Sequence, residues 1–154
     1  MCVGNHGSPD CAELLADCPE VKLVAQAGGL HEAGVWVALG RCDVLVLDVA
    51  VMEQAGHHAI RSLHEYYPSV RSLMVVEGEP DYKTLAAVSL GVQGVIGRAS
   101  TVSMLRKAIV ALYSGEAWLS RGLIQPLRNQ LNQKSELTCW NELSAYLDNR
   151  GRLN

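Results

Sequence analysis

Short apolar runs alternate along the chain with longer segments in which apolar positions recur every three or four residues. Val21 to Ala25 predicts a strand, Leu30 to Leu39 a helix, and Val44 to Leu47 a strand of four branched residues. Ala55 to Tyr66 predicts a helix halted before Pro68, because the residue preceding a proline is pushed out of helical geometry. Leu73 to Val76 predicts the next strand, Asp81 to Leu90 a helix that Gly91 can close with a left-handed turn, and Val95-Ile96 a short strand. Ser100 is placed to cap a further helix, where Val102, Leu105, Ile109 and Leu112 fall on one face and Gly115 marks the end. Strands alternating with helices build parallel βαβ units with helices on both faces of the sheet.

The two ends carry weaker patterns. Met1 to Val3 supply only an abbreviated first strand before the turn-forming run from Gly4 to Pro9, and Asp10 to Asp17 predicts a short helix. Beyond Ser120, Leu123, Ile124, Leu127 and Leu131 predict an amphipathic helix, and Leu137, Leu143 and Leu147 a second. The expected organisation is one α/β domain over residues 1–120 and a helical extension over 121–154.

Composition narrows the function classes. A net charge of −3 with 13 basic residues gives no broad cationic surface for nucleic acid. Five cysteines (Cys2, Cys11, Cys18, Cys42 and Cys139) form no C-x-x-C pair and no zinc spacing, which reads as reduced thiols in a cytoplasmic protein. No apolar run approaches the roughly 18 residues of a membrane span, so no membrane partner is expected. His57 and His58 are adjacent on a helix and point in different directions, and Gly28-Gly29 lacks the remaining residues of a phosphate loop. No enzymatic constellation emerges.

Asp48 is the informative exception, because it places a carboxylate where a buried parallel strand leaves its sheet, and ligands collect at that edge in open α/β folds. Three strings occur in order: Asp43 to Asp48, Gly91 to Ser100, and Gly115-Glu116-Ala117-Trp118-Leu119-Ser120. Together they resemble a response-regulator receiver domain of the NarL/LuxR (FixJ) type over roughly residues 10 to 125. The resemblance implies a flavodoxin-like (CheY-like) five-stranded parallel sheet in the order 2-1-3-4-5, with Asp48 as the phospho-acceptor position. It also implies an acidic pair after the first strand to hold magnesium, where this chain has Gly4-Asn5-His6. The family's hydroxyl at the end of strand four falls on Val75 or Val76, its lysine after strand five on Arg98, and its switch aromatic on Val95. Asn5, Val75, Val76 and Arg98 therefore mark a degenerate receiver site in which magnesium and phosphorylation are not expected.

Trp118-Leu119-Ser120-Arg121 is similar to the four-residue motif with which VpsT-type regulators bind cyclic di-GMP, an indole offering a stacking surface and a guanidinium a planar fork. Against that stands a packing role for Trp118 and a surface charge at Arg121. In that subfamily the following helix drives dimerisation, which Leu123, Leu127 and Leu131 would serve, so a homodimer through the helix after Ser120 is expected. Glu136-Leu137-Thr138 resembles the opening of a helix-turn-helix, but too few residues follow to complete one. Arg150 and Arg152 alone are a weak phosphate contact, and DNA binding is expected only of a longer chain. The leading expectation is a non-catalytic, atypical receiver acting through a regulatory protein partner, without a cofactor. Its alternatives are phospho-acceptance by Asp48 and cyclic di-GMP sensing.

Overall fold

A computed structural model describes residues 2–3, 15–79, 81–130 and 132–133. Asn5, most of the Asp10–Asp17 segment, Leu131, the Glu136–Thr138 string, the helix expected over Cys139 to Leu147, Arg150, Arg152 and the His57 side chain all lie outside the described residues.

The described strands are β1 (Cys2–Val3), β2 (Gln26–Ala27), β3 (Val44–Asp48), β4 (Arg71–Val76) and β5 (Gly94–Gly97). All pair in parallel, in the order β2-β1-β3-β4-β5. The helices are α1 (Leu30–Ala38), α2 (Val49–Tyr66), α3 (Tyr82–Ser89) and α4 (Val102–Tyr113). Every residue of β3 is buried, which is why its sequence is a continuous branched apolar run rather than an alternating one. On one sheet face Val44, Val46, Leu73 and Ile96 meet Leu105, Ala108, Ile109 and Leu112 of α4.

Several boundaries differ from the sequence pattern. Among the described residues the second strand pairs at Gln26–Ala27, opposite Cys2 and Val3, rather than over Val21 to Ala25. The helix expected from Ala55 begins at Val49, and Gly56 breaks it internally at φ 76°, ψ 162°, a backbone conformation open to glycine. Thr101, not Ser100, caps α4 by accepting from Met104 N, and Val102 is 39% exposed, outside the buried face. Asp81 and Thr84 close α3 with a reciprocal capping box.

A polar cluster joins the C-terminal turn of α2 to the strands at the end of the sheet opposite Asp48. His64 Nε2 lies 3.1 Å from Ser72 Oγ, and Ser72 N donates to Gln93 Oε1 at 2.7 Å. Burial, and then the charge of Arg71, hold His64 below its ordinary pKa of 6.5.

The chain divides into two compact units, Met1–Ser120 and Arg121–Asn154. In the second, residues 121–130 form one helix, α5, with Arg121 exposed and Leu127 half-buried. Among the described residues no helix is long and apolar enough to cross a membrane.

Candidate functional site

Parallel pairing brings the carboxyl ends of β3, β4 and β5 to one edge. Asp48 stands opposite Val75, Val75 opposite Ile96, and Val76 opposite Gly97, after which Arg98 N donates to Val76 O at 2.8 Å. The register thus gathers four sequence-selected positions, Asp48, Val75, Val76 and Arg98. Val76 is buried and Val75 half-buried, so branched hydrocarbon stands beside Asp48 where a hydroxyl would be needed to bind a phosphoryl oxygen.

Asp48 is only 7% exposed and both of its carboxylate oxygens are engaged. Oδ1 accepts from Ala50 N at 2.9 Å, making Asp48 the N-cap of α2, where a negative charge also suits the helix dipole. Oδ2 pairs with Arg98 Nη2 at 2.5 Å. The same guanidinium places Nε 2.5 Å from Glu77 Oε1, but without the angle of a hydrogen bond. The Glu77 leg is therefore a charge contact, weakened by water around a side chain that is 70% exposed. Beside this cluster Lys83 of α3 is ion-paired with Glu53 of α2, both half-exposed.

A carboxylate attacks phosphorus through a free lone pair, with a divalent cation neutralising the developing charge. Here the Arg98 guanidinium already pairs with Asp48 and contacts Glu77, leaving one net negative charge among the three groups. Magnesium asks for near-octahedral hard oxygen ligands. A cation there would have to compete with Arg98 for the oxygens of Asp48 and Glu77.

Trp118 lies elsewhere, at the outer edge of β5. Its carbonyl accepts from Val95 N at 2.8 Å and its N–H donates to Gln93 O at 3.1 Å, forming a single parallel bridge with Gly94. The half-buried indole packs against the core cluster that contains Leu73, Ile96 and Leu112. Leu119 is half-buried, Ser120 is exposed, and Arg121 opens the second unit.

The sequence reading missed Glu77 as a partner of Arg98, although a carboxylate directly after a strand was a usable signal. It also missed the Glu53–Lys83 pair, whose 30-residue separation left no local trace.

No protein-family model matches the chain. It is 28% identical over 124 residues to the DNA-binding transcriptional activator DevR/DosR of Mycobacterium tuberculosis, covering 80% of this chain and 57% of that protein. The chain thus spans about half the length of the curated relatives it matches. Among solved structures, a LuxR-family two-component response regulator from Aurantimonas sp. SI85-9A1 superposes with a TM-score of 0.68 at 22% identity, covering 84% of this chain and 94% of the other. The receiver domain of the response regulator NarL from Mycobacterium tuberculosis gives 0.64 at 19% identity, covering 75% and 95%. The fold is therefore that of a response-regulator receiver domain, and its structural neighbours are of the LuxR/NarL type.

Proposed function

We propose that the chain is an atypical receiver domain of a LuxR-type response regulator, working in signal transduction through protein contacts rather than through phosphorylation of Asp48. The observation that carries this reading is the ion pair from Arg98 to the buried Asp48 carboxylate, whose other oxygen caps α2. That arrangement uses Asp48 to hold the start of α2 and the end of β5 together. Val75 and Val76 add no hydroxyl beside it. The domain then holds one arrangement of its β3, β4 and β5 ends, and regulation comes from what binds its surface.

DNA contact belongs, on this reading, to a longer chain, in keeping with the DNA-binding role named for DevR/DosR. Self-association through α5 is part of the same proposal; Leu123 is already buried within the chain, so the contact would fall to exposed Ile124 and half-buried Leu127. The test is incubation with acetyl phosphate and magnesium followed by intact-mass measurement. We expect no stoichiometric phosphoryl adduct; an adduct that disappears in Asp48→Ala would overturn the proposal.

A further inference from the structure

A line of hydrogen bonds runs from the last turn of α2 to the main chain that covers β5. His64 Nε2 stands 3.1 Å from Oγ of Ser72, a fully buried residue of β4. Ser72 and Gln93 are joined twice, Ser72 N donating to Gln93 Oε1 at 2.7 Å and Gln93 N to Ser72 O at 3.2 Å. Gln93 O in turn accepts from Trp118 N at 3.1 Å, just ahead of the boundary that follows Ser120. The imidazole is held from a second side as well. A Cβ at Gly91 would lie 3.0 Å from its Cδ2 and 3.1 Å from its Cγ, so the ring is pressed on the turn that leads into Gln93.

A proton on His64 strains this line at its start. A half-buried imidazolium loses hydration, and Arg71 of β4 adds like charge. Where Nε2 accepts from the Ser72 hydroxyl, protonation also sets two donors against each other. Arg61 and Glu65 on α2 and Asp43 ahead of β3 are exposed, Tyr67 is half-buried, and Leu90 to Gln93 carries no titratable side chain. Arg71 therefore sets the sign of the response. We infer that His64, Ser72 and Gln93 form a proton-sensitive latch: with His64 neutral it holds the Trp118 segment against β5, and with His64 protonated the ring leaves Ser72 and the segment is released. The ring cannot leave without uncovering the Gly91 turn, and water then competes for the bond between Gln93 Oε1 and Ser72 N. Gln93 holds Ser72 and Trp118 at once, so loosening one contact reaches the other. The released segment carries its indole away from the core cluster at Leu73, Ile96 and Leu112.

The full chain labelled with fluorotryptophan gives one fluorine resonance for each of its 3 tryptophans, and Trp118→Phe identifies that of Trp118. Between pH 7.5 and 4.5 the solvent-isotope shift of this resonance should grow about twofold or more as the open population rises, with far-ultraviolet circular dichroism unchanged. Its midpoint should coincide with that of the His64 imidazole protons and lie below 6.5. His64→Gln, which keeps a hydrogen-bonding group without the titration, should hold the shift at its pH 7.5 value. Gln93→Met should uncouple the shift from a His64 that still titrates. A shift that is flat across the range, a midpoint apart from that of His64, or a His64 still neutral at pH 4.5 overturns the latch. So does a pH response that survives in His64→Gln.

Discussion

Replacing Arg98 by methionine tests whether Asp48 is held by a buried ion pair. Asp48 has a side chain only 8% exposed, so removing the guanidinium strands a carboxylate in poorly hydrated surroundings. Breaking a fully buried pair costs about 3–5 kcal/mol; with the Arg98 side chain 24% exposed, water recovers part of this and about 2–3 kcal/mol is expected. Asp48→Asn should cost less, about 1 kcal/mol, because asparagine caps α2 comparably and Arg98 keeps its charge contact with Glu77. The double variant Asp48→Asn with Arg98→Met no longer strands a charge, so the cycle should show a coupling of about 1–2 kcal/mol. Urea denaturation of the four proteins, followed by far-ultraviolet circular dichroism, measures it. Coupling within about 0.3 kcal/mol of zero would show two independent surface groups and refute the account of the site.

Three further outcomes are expected. His64 has its pKa lowered in the folded state, so below its ordinary value of 6.5 the unfolded chain binds the proton more readily; stability is full above that value and declines as pH falls through it, a slope that urea midpoints between pH 7.5 and 5 should show and His64→Gln should flatten. Gly94→Ala puts a methyl 2.8 Å from Leu73 Cδ1 and 3.0 Å from Leu112 Cδ1, and should destabilise by about 1–3 kcal/mol in thermal unfolding, whereas an unchanged midpoint would mean that the core yields freely. Calorimetric titration with cyclic di-GMP should give no heat at high micromolar ligand, because the Trp118 ring is already packed against the core cluster; a saturable heat lost in Arg121→Ala would refute this.

Elements with a strong period were legible from the sequence. The buried strand at Val44 and the α4 face of Leu105, Ile109 and Leu112 follow from pattern alone, since burial on two faces or one dictates the residue types. Helix starts were less legible. Val49 to Gln54 carries no helical stripe before Gly56, and its helix forms under the cap that Asp48 supplies. In the candidate site, Asp48 and Arg98 could be selected from their strings, but their contact spans 50 residues and exists only through the β3–β4–β5 register. The backbone bridge of Trp118 was illegible for the same reason, being made by main-chain groups that every residue carries.

That bridge bears on how the protein behaves at high concentration. A parallel sheet ending in a bare strand offers unpaired N–H and C=O groups to any other chain, which is a route to edge-to-edge aggregation. The Trp118 main chain takes up Val95 N and Gln93 O on the outer side of β5, and its ring lies on the apolar core beside them. A peptide break after Gly115 would uncover this edge and its apolar flank together, turning a covered strand into a self-templating surface.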